Sequence, residues 1–420
     1  MRKMIFWLGL CGVMASAPGT AASLVDWHVV LESAAARQHL ADRHRADVER
    51  STAEQQRARG LLAGSPVVDG LYRSDRALSN QGAGEMQFGV RLPLRRPGQT
   101  DAWAHLAEQT ALDAESRVRA SRLALLGQLR SLAWECRLAD NRLHAAQIRH
   151  RALDQQWRKV ESQVKQGEAA AIDAQILQTR VLEAAAILEA EKAGSQAVQA
   201  RWQALTGLSS LPVDLGQTLL PASMSEIRDE NQLVHQQPLL AQLADQVSLT
   251  SAALAATRVE GSGAPELGVF VKRDRSDRQT PWDNSLQVSV SLPIGGAVYR
   301  GPQLAELNQQ KTAAQLNLVQ TTQQIWGDIL DLRSRTAAWP ARLALLDQRA
   351  ALADTVLAKQ ERARRLGEID WLTWLIAERE AADARLVASE AHLLAARDAS
   401  LLKQAYGLMP ISRPASGVRP

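Results

Sequence analysis

Hydrophobic and polar residues alternate along the chain with two different periods. In the segments 85–94 and 285–294, every even position is apolar and the positions between are mostly polar or small. A period of two is typical of a strand with one apolar and one polar face. A shorter strand-like run precedes each segment across a polar loop, at 66–73 and 265–273. The pattern therefore predicts two β-hairpins.

A helical pattern occupies the chain on both sides of each predicted hairpin. The stretches before the hairpins, about 24–63 and 232–258, are rich in Ala, Leu, Arg and Gln. The stretches after them, about 97–163 and 302–363, are each long enough for a helix of about 90 Å. Long helices joined by short hairpins predict a mainly α protein with a small β part.

Proline and glycine mark the expected ends of these helices. Pro97 and Pro302 are expected in the first turn, where a missing N–H is tolerated. Pro340 is expected to kink or interrupt the second long helix. Gly167 and Gly367 are expected to reverse the chain, because glycine accepts a positive φ without strain. The returning helices are predicted at 170–206 and 370–406.

The two halves of the sequence repeat each other at an offset of 200 residues. Met86–Leu94 aligns with Leu286–Ile294 without a gap, and Gly167-Glu168 aligns with Gly367-Glu368. Several matches at one offset predict two tandem repeats of helix, β-hairpin, long helix, turn and helix. The predicted segments are a signal peptide at 1–22, a first repeat at 23–208, a linker at 209–231, a second repeat at 232–408 and a disordered tail at 409–420.

The first residues have the pattern of a secretory leader. Arg2 and Lys3 precede an apolar stretch that ends in small residues before Ser23, which predicts export. Cys11 follows the bulky Leu10, so lipidation is not expected. Removing the leader leaves Cys136 as the only thiol, and an intramolecular disulfide is then impossible.

Composition and charge exclude several classes of function. Without Arg2 and Lys3 the chain carries 47 basic and 45 acidic residues, too balanced for a nucleic-acid footprint. Aromatic residues are only 4%, which disfavours an aromatic-rich enzyme core. Beyond the leader, no run of 18 apolar residues predicts a transmembrane helix. No phosphate loop, nucleophile elbow or histidine metal pair occurs, so we expect no enzyme, cofactor or metal site.

Four predicted strands are too few to close a barrel within one chain. Symmetric association of several chains would complete one, and strands of 8–10 residues are long enough to cross a bilayer at a tilt. The apolar face would then contact lipid and the polar face would line a lumen. The expected lipid-facing residues are Phe88, Val90, Leu92, Val288, Val290 and Leu292. Alternatively, each hairpin could cap a soluble helical bundle.

The duplicated order resembles that of the TolC-like outer-membrane factors, the exit ducts of tripartite efflux and type I secretion systems. The resemblance covers nearly all of the mature chain. It includes a strand that ends Leu92-Pro93-Leu94 or Leu292-Pro293-Ile294 before each long helix. It also includes the helix turns Gln166-Gly167-Glu168 and Leu366-Gly367-Glu368. Within the family, the heavy-metal-efflux branch looks most similar.

This resemblance implies a homotrimer with a 12-stranded β-barrel in the outer membrane and a long α-helical barrel through the periplasm. It implies two protein partners, a periplasmic adaptor and an inner-membrane pump of RND or ABC type. The transported substrate is not implied. The alternative from another class is a soluble periplasmic coiled-coil adaptor or structural protein. Adaptors usually carry one helical hairpin between β-rich domains, whereas this chain carries two similar halves.

The resemblance also assigns roles to the two helix turns. Adaptor docking is expected at the residues Gln166, Gly167, Glu168, Leu366, Gly367 and Glu368. A ring of acidic residues narrows the periplasmic entrance in many family members. The first repeat keeps Asp173 at that position, whereas the second has Thr373, with Ile376 nearby and Asp370 earlier. These residues are the candidate aperture, and whether it is acidic stays open. Trp371 and Trp374 are expected to pack between helices.

Overall fold

The computed structural model describes residues 26–77, 79–212, 215 and 229–409. The predicted signal peptide, most of the predicted linker and nearly all of the predicted tail lie outside these residues. Within the described part the chain forms long helices and one small sheet, as predicted. The first repeat contains α1 (Trp27–Arg37), α2 (Leu40–Arg59), β1 (Val67–Ser74), β2 (Gly84–Pro93), α3 (Gln99–Lys165) and α4 (Ala171–Thr206). The second contains α5 (Glu230–Gln236), α6 (Pro238–Glu260), β3 (Glu266–Arg275), β4 (Asp283–Ser291), α7 (Gly296–Arg365) and α8 (Trp371–Ala405).

Each helical stretch before a hairpin is broken once, which the helical pattern did not predict. The first break lies at His39, which has a left-handed backbone (φ 53°) and a ring nitrogen 3.0 Å from the Asp42 carboxylate. The second lies at Gln237, just before Pro238, which starts a new helix in its first turn. The Gln237 side chain caps that helix by accepting a hydrogen bond from the Leu240 N–H at 2.8 Å. In both repeats the helical stretch before the hairpin is thus interrupted in its first half.

The long helices α3 and α7 have 67 and 70 residues, a length of about 100 Å each. Two proline predictions were wrong. Pro97 lies before the helix, whose N-cap is Gly98 with φ 77°. Pro302 lies inside α7, because that helix begins earlier, behind Gly295 with φ 90°. Pro340 also lies inside α7 and does not end it. Each internal proline leaves the carbonyl four residues earlier without its helical partner.

The four strands form one antiparallel sheet in the order β1-β2-β3-β4. The two predicted hairpins are joined because β2 pairs with β3 over its full length, from Gly84↔Arg275 to Pro93↔Glu266. Within one chain β1 and β4 remain edge strands. Leu292 lies one residue beyond β4, contrary to its assignment as a strand residue. Prolines 265 and 293 have no N–H to extend the ladder there.

Two of the buried apolar clusters are each built mainly from the helices of one repeat. In the first, Trp27, Leu126 and Trp202 bring α1, α3 and α4 together. In the second, Leu240, Ile329 and Tyr406 join α6, α7 and the end of α8. None of the described helices combines the length and the hydropathy that crossing a membrane as a helix would require. The sheet lies at one end of this helical body and the turns at Gly167 and Gly367 end the long helices.

Candidate functional site

The sheet has one almost wholly apolar face. Residues paired across an antiparallel ladder point to the same side. Val68 pairs with Val90, Val90 with Val269, and Val269 with Val288, so four valines form one row across all four strands. The neighbouring rows are Gly70, Phe88, Val271 and Leu286 on one side and Leu92, Leu267 and Val290 on the other. Phe88 and Val290 remain 65% and 67% exposed, so no part of the described chain covers this face.

The opposite face carries charges that are paired across the strands. Arg91 of β2 donates to Asp69 of β1 (Nε to Oδ2, 2.6 Å) and to Glu266 of β3 (Nη1 to Oε2, 3.2 Å). Ion pairs between side chains of neighbouring strands stabilise their register. A second cluster of the same kind contains Arg73, Glu85 and Lys272. This face is polar and could line water.

One aromatic residue lies on the polar face. Phe270 is buried, and its ring covers Gly89 and Gly268. A Cβ atom added at Gly89 would lie 2.2 Å from the ring, and one added at Gly268 would lie 2.5 Å from it. The ring therefore packs on two glycines of adjacent strands, and it helps to hold the two hairpins together.

At the far end of the helices, two turns with the same backbone reverse the chain. Gly167 and Gly367 both have φ 79°. In each turn the N–H of the following glutamate donates to a carbonyl five residues earlier: Glu168 to Gln163 at 2.8 Å, and Glu368 to Ala363 at 3.0 Å. This is the pattern of a Schellman motif. All six residues of the predicted docking set are exposed. That they bind an adaptor remains a prediction.

The candidate aperture residues begin the returning helices but do not form one cluster. Asp173 lies in the first turn of α4; within the described chain its carboxylate has no hydrogen bond or ion pair. Thr373 and Ile376 are exposed on α8. Asp370 is the N-cap of α8, and its carboxylate accepts from the Thr373 N–H at 2.9 Å. This capping bond accounts for a carboxylate at the earlier position, and hydrogen bonds from Thr373 lower the pKa of Asp370.

Trp371 and Trp374 pack between helices, as predicted. Their rings meet edge to face, with centroids 5.6 Å apart and planes at 84°. They are buried against α3 and α4 of the other repeat, where they contact an apolar cluster made by Leu153, Val160, Leu177 and Val181. The Arg364 guanidinium lies 3.8 Å from the Trp371 ring centre. The second turn is therefore fixed to the first repeat by its aromatic residues.

A charged groove near these turns was missed by the sequence analysis. Arg149 of α3 forms ion pairs with Glu378 (3.5 Å) and Asp383 (3.9 Å) of α8, and Ile376 lines the same groove of about 400 Å³. Burial raises the pKa of Glu378, and the Arg149 charge opposes that shift. Glu378 follows Trp374 by four residues, a spacing that indicates a shared helix face. That spacing could have marked it as buried.

The described residues contain no group of three or more His, Cys, Asp or Glu that could hold a metal ion. The fold places two distinct surfaces at its ends: a two-faced open sheet at one end and a pair of exposed helix turns at the other. Their separation along α3 and α7 is about 100 Å.

Solved structures of outer-membrane proteins have the same fold. A CusC structure described for transmembrane channel formation matches with 15% identity and a TM-score of 0.72, covering 91% of this chain and 92% of that one. The outer-membrane protein VceC from Vibrio cholerae matches with 14% identity and a TM-score of 0.70, covering 91% and 96%. The CmeC outer-membrane channel of Campylobacter jejuni matches with 12% identity and a TM-score of 0.69, covering 97% and 94%.

No protein-family model matches the sequence, and no curated protein matches it by sequence. At these low identities the likeness concerns the fold. The chain has the fold of the outer-membrane channels named above, and the predicted resemblance is confirmed at that level.

Proposed function

We propose that this chain is one subunit of a homotrimeric exit duct that conducts substrates across the periplasm and the outer membrane. Three sheets of four strands would form a 12-stranded β-barrel, and the long helices of three chains would form an α-helical barrel below it. The duct would be passive and without catalytic residues. An inner-membrane pump, of RND or ABC type, would supply the substrate through a periplasmic adaptor.

The observation that carries this proposal is the open, two-faced sheet. Its edges β1 and β4 present unpaired backbone groups, and its apolar face is exposed in the single chain. Such a sheet is an aggregation site in water. Closure with two further copies satisfies both edges, and lipid covers the apolar face. A hairpin that caps a soluble bundle would instead bury that face against helices.

The surface of α7 supports association with other copies. Leu316, Leu345 and Leu352 are 55%, 67% and 59% exposed, although they lie in the middle of a long helix. At 3.6 residues per turn these three positions fall on one side of the helix, and an uncovered apolar side suits a partner surface. A neighbouring chain in a helical barrel would cover them.

At the opposite end, the exposed turns around Gly167 and Gly367 would meet the adaptor. Their backbone is held by internal hydrogen bonds, and their side chains are free to contact a partner. Photo-crosslinking from Gln166 and Glu368 should trap the adaptor in an assembled complex. Crosslinker placed at Leu345, in the middle of α7, is the control and should trap a second copy of the chain. Adaptor crosslinks absent from both turns would contradict the docking assignment.

The aperture would lie where the returning helices start. Three copies of Asp173 around one axis would attract cations and repel one another. Asp173→Ala should lower the cation selectivity of single channels in planar bilayers, whereas Thr373→Ala should leave it unchanged. Unchanged selectivity in both variants would remove Asp173 from the aperture.

The test of the proposal itself compares adjacent residues of β4 that face opposite sides. Val290→Asp places a charge on the apolar face, one residue from the end of β4, and should cost about 1 kcal/mol at that depth. Ser289→Asp places the same charge on the polar face and should be tolerated. We expect trimer and outer-membrane recovery to fall for Val290→Asp alone. Equal recovery of both variants, or a wild-type protein found only in the soluble periplasmic fraction, would overturn the proposal and favour a soluble coiled-coil protein.

A further inference from the structure

At the hairpin loops, the apolar face of the sheet ends in rows that carry aromatic and positively charged residues. The register places Tyr72, Met86 and Arg273 side by side, and the next row contains Gly84 and Arg275. Arg273 and Arg275 therefore follow Val269 and Val271 on the same face of β3. They are the only charged strand residues on this face in the described chain. Both lie at its loop end.

Trp282 lies over this row and contacts both arginines. The guanidinium carbon of Arg275 is 4.7 Å from the Trp282 ring centre, and that of Arg273 is 5.3 Å from it. A Cβ atom at Gly84 would come within 2.8 Å of the indole, so glycine leaves the space that the ring occupies. Guanidinium groups stacked on an aromatic ring keep their edge N–H groups available for the oxygens of an anion.

The two arginines lack the carboxylate partners that other basic side chains of the sheet have. On the polar face, Arg73, Arg91 and Lys272 each form an ion pair. Within the described residues neither Arg273 nor Arg275 has a carboxylate oxygen within 4.0 Å. Arg275 instead donates through Nε to the carbonyl of Gly82 at 2.9 Å, which orients the group and leaves its terminal nitrogens free.

The acidic residues of the neighbouring loops are engaged by their own loops. Asp75 accepts hydrogen bonds from the N–H groups of Gln81 and Gly82 and from the Ser79 hydroxyl. Asp277 accepts from the N–H groups of Gln279 and Thr280, each at 2.8 Å. Their oxygens therefore face inward in each loop, and neither carboxylate neutralises the arginine pair.

We propose that Arg273, Arg275 and Trp282 bind a phosphate group of a phosphorylated lipid at the outer rim of the membrane-embedded sheet. This inference rests on the proposed function, which places the apolar face in lipid and the hairpin loops outside. Two guanidinium groups can bind phosphate oxygens in a bidentate manner, and an indole suits the boundary between hydrocarbon and headgroups. The uncovered face directly below the pair would contact the acyl chains of the same lipid. A lipid headgroup is therefore favoured over free phosphate, which gains nothing from that face.

The test measures binding of lipid A to the purified full-length protein in detergent by native mass spectrometry. Lipid A with two phosphates should bind wild type, and the Arg273→Gln/Arg275→Gln double variant should bind it about tenfold more weakly. Arg73→Gln is the matched control, because it removes one cation from the polar face of the same sheet, and its lipid binding should be unchanged. Phosphate-free lipid A should bind wild type only weakly. Its affinity should equal that of bisphosphorylated lipid A for the double variant.

Equal binding of bisphosphorylated and phosphate-free lipid A by wild type would overturn the inference. This comparison uses wild type alone, so its result does not depend on whether the variants fold. Full displacement of lipid A by millimolar inorganic phosphate would also overturn it, since the site would then be one for the free anion. Outer-membrane recovery of wild type is measured in parallel. Failure of that recovery contradicts the proposed function, whereas failure of lipid discrimination with normal recovery contradicts only this site.

Discussion

The two helix turns at the end of the long helices have the same backbone but different side-chain support. Gly167 and Gly367 share φ 79°, and the hydrogen bonds around them correspond residue by residue. The helix after the first turn has Ala170 as its N-cap residue and no side-chain cap, whereas the Asp370 side chain caps the helix after the second turn. The second helix also buries Trp371 and Trp374, where the first has Ala171 and Ala174.

The two repeats thus preserve the path of the chain, while each copy stabilises that path with different side chains. A reversal between two helices requires a residue with positive φ, so both copies have glycine. Capping and packing have several solutions. In the second repeat the Asp370 carboxylate caps the start of α8, and the two tryptophans pack α8 against the first repeat. In the first repeat the carboxylate of Asp173 is left unengaged among the described residues.

The largest effect is expected from Trp374→Ala. Trp374 is 4% exposed and packs against Trp371, so truncation should cost about 3–5 kcal/mol through lost burial and a cavity. Hydrogen exchange at the amides of α8 and of the second turn should accelerate more than a hundredfold. The control is Leu372→Ala on the exposed side of the same helix, where little change is expected. Equal acceleration in both would show that the tryptophans do not hold the turn.

Valine at the turn glycines should have a smaller effect that is the same in both repeats. Nothing lies within 4 Å of a Cβ at Gly167 or Gly367, so the cost is backbone strain of about 1–2 kcal/mol and not a clash. Hydrogen exchange around each turn should rise about tenfold, and efflux should fall more than trimer yield. Asparagine at either position is the control, because it tolerates this conformation better. A much larger loss in one repeat would contradict the shared backbone geometry.

Adding a cap in the first repeat and removing the cap in the second should change helix stability by still less, and in opposite directions. Ala170→Asp supplies the missing cap of α4 and should stabilise that turn by about 0.5–1 kcal/mol. Asp370→Ala removes the bond to the Thr373 N–H and should loosen the start of α8. Amide protection in the first turn of each helix is the measurement. Protection that moves in the same direction for both exchanges would be inconsistent with this explanation.

The smallest effect concerns pH. Hydrogen bonds from Thr373 lower the pKa of Asp370 in the folded chain. A lowered folded pKa means that the stabilisation is present above the unfolded value near 4 and is lost as pH falls through the folded value. The difference in amide protection between wild type and Asp370→Ala should thus be constant at neutral pH and should shrink below about pH 4. A difference that persists unchanged at pH 2 would mean that the carboxylate is not the cap.

The sequence predicted the features that depend on local rules. Alternation identified both faces of the strands, because one face must be apolar, and glycine identified both turns. The sequence pattern did not predict the helix break at His39, because histidine only occasionally adopts a left-handed backbone. It also placed Pro302 at a helix start, since proline is common there, although Gly295 lets the helix start earlier. The ion pair of Arg149 with Glu378 joins residues far apart in the chain, and no local period encodes it.

The packing of Phe270 on two glycines is another contact that no local sequence pattern predicts. Gly89 and Gly268 read as weak points of their strands, and only the register reveals that one ring covers both. The capping role of Asp370 could have been read locally, from a carboxylate three residues before Thr373 at a helix start. The family resemblance instead predicted an acidic ring at Asp173.

In the proposed assembly, the polar face of the sheet lines a water-filled duct built by several copies. Single-channel recording in planar bilayers tests it directly, with Ser289→Cys and Val290→Cys compared before and after a charged, membrane-impermeant thiol reagent. The native Cys136 is buried and burial raises its pKa to about 11, so wild type should not respond. We expect discrete channels whose conductance falls on labelling of Ser289→Cys and stays constant for Val290→Cys. Absence of channels, or block through Val290→Cys but not through Ser289→Cys, would contradict it.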